Sequence, residues 1–188
     1  MVPRLVDGDL ALGVHRDERD PFDLELLGFD ELHETVDLSA VRHDHLVFID
    51  QVVGSQRLRT VSAVGESFPL YCTANGKAYL AELDNAEVET LLGRRYPART
   101  ANTLTSLPAL LADLKAARKT GVAYDREEHT VGISAAGVAL CDPAGNHLAI
   151  SVPVPTSRFK EHQARIAARL IVAKRSIEGL LTTAEAAE

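Results

Sequence analysis

The sequence predicts an α+β domain built around a largely antiparallel sheet. Three observations carry that expectation. From Glu34 onward, Val36, Leu38 and Ala40 alternate with Thr35, Asp37 and Ser39, the period-two pattern of a half-buried strand. Two more strand-like runs, at 131–141 and 146–154, are separated by Asp142-Pro143-Ala144-Gly145, residues that favour a turn. Between and after these groups lie segments of helical period. The longest covers 156–181, where Ile166, Leu170, Ala173, Ile177 and Leu180 share one stripe. Strands grouped with strands, and helices set between the groups, describe α+β and not an alternating parallel fold.

Residues 1–19 are mixed and charged, with weak strand character at 10–14, and read as a linker ahead of the domain proper at 20–181. Asp20-Pro21 is a helix start, a capping residue followed by Pro at the first helical position, with Leu24, Leu27 and Leu32 as a partial apolar face. The strand from Glu34 turns at Arg42-His43-Asp44-His45 into a second at 46–53, and 57–62 is expected as a third, completing a meander. A helix over 74–83 follows, then a short one at 86–92 behind Asp84-Asn85. Ser106-Leu107-Pro108 opens a further helix that Gly121 ends as a C-cap. A short extended piece at 122–125 leads into the final hairpin and the long helix, and 182–188 are expected to fray.

The chain has 188 residues, 46% hydrophobic and 25% charged, which suits one domain with a real core. Its net charge of -7 and the lack of a basic stripe argue against a chain that grips nucleic acid by itself. The basic residues at 115–119 are interrupted by two alanines and read as a solvated helix face. Two cysteines, Cys72 and Cys141, without metal-type spacing suggest a reducing compartment. No apolar run approaches the ~20 residues of a membrane helix. The expected location is the cytoplasm, with no cofactor.

Two stretches invite a ligand. If residues 142–145 form a four-residue turn, position 134 faces 153 and 140 faces 147. One face of the hairpin then carries Ser134, Ala136, Val138, Ala149, Ser151 and Pro153, small residues and two hydroxyls, over which either a helix or a ligand can sit. The other stretch is GESFPLYCTANGKAYLAEL at 65–83. Thr73, Ala74, Asn75 and Gly76 crowd small residues where a loop becomes a helix. That is either close packing or an anion seat made of free N–H groups.

This second stretch resembles a signature of the effector-binding domain of IclR-type transcriptional regulators, with Gly65, Pro69, Leu70, Gly76, Lys77, Ala78, Leu80 and Ala81 matching. GVAYDREEHTVGISAAGVALCDPAGNHLAISVPVP resembles the family's other signature at Gly121, Asp125, Glu127, Glu128, His129, Gly132, Asp142 and Gly145. The resemblance implies a profilin-like or GAF-like sensor, a curved antiparallel sheet with flanking helices whose concave side holds a small molecule, commonly an organic or aromatic acid. It also implies a homodimer or tetramer that controls DNA binding by a separate winged helix-turn-helix head, which is expected to be absent from this chain. By position, the resemblance puts Ala74 and Asn75 at the pocket, with Asp125, Ser134 and Ser151, and Phe68 closing it. An anionic or polar effector would rest on the N–H groups of Asn75 and Gly76. Asp125 would accept from an effector hydroxyl or amine, which disfavours a dicarboxylate. Ala139, Pro153 and Tyr71 depart from residues common in the family, and the hydroxyl lost at Pro153 points away from a simple keto acid.

Other chemistry is thinner. His43 and His45 share a polar turn, but two ligands without a third make a weak site, and no metal is expected. The acidic run Asp125, Glu127, Glu128 and His129 reads as a loop held by Arg126 and Lys77. An enzyme would have to use Cys72 just before a helix start, with no His nearby in sequence and no nucleophile elbow or phosphate loop elsewhere, so no catalytic activity is expected. A module that only assembles subunits is the remaining alternative, and it predicts a filled sheet face.

Overall fold

The computed structural model describes Leu24, Leu27 and residues 29–60, 62–142 and 144–185. The strand expected at 10–14 and most of the helix expected after Pro21 lie outside the described residues. Leu24 and Leu27 are buried turn residues, and Asp30–Leu32 form a single 3-10 turn.

Antiparallel pairing joins six strands into one curled sheet in the order β3-β2-β1-β6-β5-β4. They are β1 (Val36–Arg42), β2 (His45–Val52), β3 (Ser67–Pro69), β4 (Ala123–Arg126), β5 (Ile133–Cys141) and β6 (His147–Pro155). Helices α1 (Ala74–Glu82), α2 (Asn85–Leu92) and α3 (Leu107–Thr120) lie between the two strand groups in sequence, and α4 (Thr156–Glu185) ends the described chain. Strands β1 and β6 meet at the centre, Asp37 opposite Ser151 and Leu38 opposite Ile150, joining the two halves of the chain. The sheet buries both faces. On one, Val138, Ile150, Val152 and Val154 pack with Ile166, Leu170 and Ile177 of α4. On the concave face, Leu46 and Phe48 pack with Leu70, Leu80, Leu110 and Leu114 around α1 and α3.

Helix boundaries follow their local chemistry. Thr73 caps α1, its hydroxyl oxygen accepting from the Gly76 N–H at 3.2 Å. Asp84 and Glu87 close a reciprocal capping box on α2. Gly121, left-handed at φ 75°, ends α3.

Four expectations need correction. Residues 57–60 and 62 form no strand; the third strand is β3, further on. The 57–62 segment is instead tied across the sheet by side chains: Thr35 donates to the Thr60 carbonyl at 2.6 Å, and Thr60 to the Pro153 carbonyl at 2.9 Å. In α4, Leu180 is exposed and Leu181 takes the buried position, one residue on, while the helix continues to Glu185. The turn after β5 is longer than four residues. Asp142 and Asn146 hydrogen-bond through both backbone and side chain, so Asn146 belongs to the turn and Cys141 pairs with His147. The fourth correction follows from that extra residue. Leu140 faces Leu148, and Ser134 faces Val154. A one-residue slip reverses which side chains share a face. The concave face therefore carries Ile133, Ala135, Gly137, Ala139, Ala149, Ser151 and Pro153.

Close approach explains the glycines around α1. A Cβ on Gly76 would overlap the backbone of Leu70, and one on Gly137 would come within 3.0–3.1 Å of the Ala74 and Asn75 backbone. The start of α1 thus rests directly on β5. One ion cluster then locks α1 in place. Lys77, fully buried, donates from Nζ to Glu128 at 2.6 Å and to Asp113 of α3 at 2.8 Å. Thr103 donates to the Glu128 carbonyl at 2.6 Å, so the 127–132 loop is anchored from two sides. The expected partnership of Lys77 with the acidic run is present; Arg126 contributes a backbone N–H to Glu128, while its guanidinium lies over Tyr124. Lys77→Ala would leave Glu128 buried without a cation. Such a break costs about 3–5 kcal/mol, or about 6–20 °C in Tm for a chain of this size. Thermal unfolding checks it, and Lys77→Met, which fills the volume but leaves the same acid unpaired, should not restore the loss.

Candidate functional site

A cavity of about 200 Å³ opens between the start of α1, the concave face and the loop after β4. Its floor comes from alternate positions on central strands: Asp37 of β1, Ser151 and Pro153 of β6, Ile133 and Ala135 of β5. Asp125 lies on the β4 side, opposite Ala135. Ala74 and Asn75 form the helix-side wall, while Phe48, Phe68 and His129 form an aromatic one. Phe68 meets Phe48 edge-on at 4.9 Å and His129 at 4.5 Å between ring centroids.

Of the residues expected at a site, Phe68, Ala74, Asn75, Asp125 and Ser151 come together around this cavity. Gly76 and Ser134 are elsewhere. The Gly76 N–H is taken by Thr73, and its Cα packs on Leu70. Ser134 faces α4 because of the register described above, with its hydroxyl 2.9 Å from that of Thr156 at the helix start. Asn75 is buried and donates from Nδ2 to Ser39 Oγ at 2.9 Å. Ser39 in turn donates from its hydroxyl to the Ala149 carbonyl at 3.2 Å. The Ser151 side chain, 2% exposed, has no hydrogen-bond partner among the described residues.

Asp37, Thr60, Ser62, Glu66, Thr73, His129 and Thr130 also line the cavity and were not among the expected site residues. A signal for Asp37 existed. The alternation Thr35, Asp37, Ser39 reads as a solvent face, yet all three are buried. A polar strand face that is covered, not solvated, is what a polar site needs.

The electrostatics follow from burial. Asp37 receives Gln51 Nε2 at 2.6 Å and Ser62 Oγ at 2.8 Å, yet desolvation outweighs both bonds and pushes its carboxyl up to about 6. Asp125 accepts from the Glu128 N–H at 2.6 Å, and burial, aided by the Glu128 charge, pushes it up to about 7. Burial, then Arg99, lowers His129 to about 4, so its ring is neutral at pH 7. The buried Cys72 thiol is pushed up to about 12, the reverse of what a nucleophile requires. An acid held above its ordinary value binds protons more tightly when folded. Its contribution is therefore fully present below about pH 4 and is lost as pH rises through the folded value. For Asp37 that change is on the order of 2–3 kcal/mol between pH 4 and 7. Asp37→Asn should gain stability relative to the native chain by that order over the same interval, as read from urea unfolding at the two pH values.

Known proteins share this architecture. Residues 24–178 match the family model described as "Bacterial transcriptional regulator IclR C-terminal". The HTH-type transcriptional regulator Rv1719 of Mycobacterium tuberculosis is 51% identical over 154 residues, which cover 82% of this chain and 59% of that protein. The chain thus spans little more than half of that relative's length. The crystal structure of Thermotoga maritima IclR superposes with a TM-score of 0.79 at 30% identity, over 89% of this chain and 69% of that one. An IclR homologue from Microbacterium hydrocarbonoxydans, solved with 4-hydroxybenzoate, has the same fold, with a TM-score of 0.73 at 19% identity over 85% of this chain and 65% of that one. Among the described residues, no helix is long and apolar enough to cross a membrane. Matched over most of its length by the family model and by a relative at half identity, and folded like the family's solved members, the chain belongs to the IclR family of bacterial transcriptional regulators, as its C-terminal domain.

Proposed function

We infer that this chain senses a small organic effector in the cavity beneath α1, and that residues 20–181 form the sensing and assembling unit of a transcriptional regulator acting in the cytoplasm. The observation that carries the reading is Ser151, a residue only 2% exposed, whose hydroxyl has no partner among the described residues and lines a cavity of about 200 Å³. A nearly buried side chain whose hydroxyl keeps its hydrogen-bonding capacity for a concave site is where a ligand belongs. The volume lies below the ~300–1,000 Å³ of drug-sized pockets, which suits a small metabolite. A module that served only to assemble subunits would have no need of this opening. Catalysis is not part of the reading, because the one buried thiol is held protonated.

Occupancy can alter DNA binding only if the effector favours one quaternary arrangement over another. The reading therefore includes a homodimer or tetramer, with the DNA contacts made by a winged helix-turn-helix head. The family's organic and aromatic acids, and the 4-hydroxybenzoate bound by the Microbacterium hydrocarbonoxydans homologue, set the size of molecule to test.

Thermal unfolding against small organic acids, phenolic acids, sugar acids, alcohols and amines tests the reading. A ligand present at about a hundred times its Kd adds about 2.7 kcal/mol, equivalent to about 5–10 °C for this size of chain. At least one compound should give such a shift, and Ser151→Val should remove it without lowering the unliganded Tm by more than about 2 °C. If no compound shifts the native chain, the assembly-only reading takes its place.

A further inference from the structure

The cavity is unbalanced in charge and in hydrogen-bonding sense. Two buried carboxyls, Asp37 and Asp125, line it, with Glu66 exposed at its rim, and none of its lining residues is Lys or Arg. Two cations lie nearby but are not among its lining residues. The Lys77 ammonium is spent on Glu128 and Asp113, and Arg99 is exposed, with its influence falling on Tyr71, Cys72 and His129. His129 itself is neutral. The start of α1 opposes this field with the N–H groups of Ala74 and Asn75 and about half a positive charge. That is less than even one carboxylate, and Thr73 already occupies the Gly76 N–H.

Register concentrates the acceptors at one place. Asp37 stands directly across from Ser151, and Ser39, which fixes Asn75, stands across from Ala149 two pairs further on, on the same face. Each Asp37 oxygen takes one hydrogen bond, from Gln51 or Ser62, and retains a second lone pair. Asn75 turns its Nδ2 to Ser39, and its Oδ1 has no partner among the described residues. The Ser151 hydroxyl is likewise unpartnered among them. A carboxylate placed here would meet acceptors and negative charge, whereas an ammonium would meet three oxygens able to receive its protons.

Resting on the sensing function inferred above, we propose that the effector is a small organic cation, a protonated amine on an apolar body, with its ammonium at Asp37, Ser151 and Asn75 and its body against Phe48 and Phe68. Asp125, on the opposite wall, adds a second negative charge. Phe48 and Phe68 give the body an apolar surface and the cation a ring face. Because burial holds both carboxyls partly protonated near neutrality, the arriving cation favours their ionised forms. Protons then pass from Asp37 and Asp125 to the solvent.

Titration calorimetry with benzylamine, benzyl alcohol and benzoate, and with the same headgroups on a propyl chain, tests the proposal on the native chain at pH 6.5. Repeating each titration in two buffers of different ionisation heat measures the protons exchanged. The amine should bind at least tenfold more tightly than its alcohol and its carboxylate, with proton release. Asp37→Asn should remove at least tenfold of the amine's affinity and leave the alcohol's unchanged. Equal or tighter binding of the carboxylate, with proton uptake, overturns the cation and leaves the sensing cavity in place. So does the absence of amine binding at millimolar concentration when an acid or alcohol from the unfolding panel binds. If nothing binds in either experiment, the sensing function falls with it.

Discussion

One buried ammonium organises the concave half of this domain. Lys77 is fully buried on α1, and its charge is answered by Glu128 from the loop after β4 and by Asp113 from α3. Removing the Lys77 and Glu128 charges from water is costly, and only their attraction, the partly exposed Asp113 and good hydrogen-bond geometry offset it. Such an arrangement tolerates little displacement. It therefore fixes the rotation of α1 about its axis, which in turn points Asn75 across Ser39 toward the sheet. It also fixes the 127–132 loop, which brings His129 and Thr130 to the cavity mouth.

Small residues at the α1 start serve packing and access together. Gly76 lets the helix backbone rest on Leu70, and Gly137 lets β5 rest beneath Ala74 and Asn75. Because the helix sits so low at this end, its first turn becomes a wall of the cavity and not a lid over it. The two readings of the Thr73 to Gly76 segment, close packing or ligand access, are thus not alternatives. Gly76 belongs to the first, Ala74 and Asn75 to both.

Much of the local architecture was legible. Asp84, Pro108 and Gly121 mark helix ends through chemistry confined to a few residues, and the structure places the ends within a residue or two, although the Ser106 side chain ahead of α3 makes no capping hydrogen bond. The partnership of Lys77 with the acidic run was legible as charge, although its second partner, Asp113, was not. Five of the seven expected site residues meet at one cavity. Ser134 does not, because Asn146 joins the turn after β5 and so sets the pairing one residue away from the four-residue turn that Asp142 to Gly145 suggested. Asp37 was hidden for the opposite reason. Its alternation with apolar neighbours is the ordinary signature of a solvent-facing strand residue, and nothing local shows that a helix and a loop will cover it.

The sequence by itself determined the positions of α1 to α4, the β1–β2 and β5–β6 hairpins and, through two spaced signatures, the family. These depend on neighbours within about one helical turn or one strand, where the chain's own stereochemistry decides. Only the tertiary structure decided which side of each strand faces the cavity and which polar groups are left there without partners. That depends on β1 meeting β6, Asp37 against Ser151 across more than a hundred residues of chain. With side chains alternating at every residue, one residue of register separates a ligand-facing serine from one that faces α4.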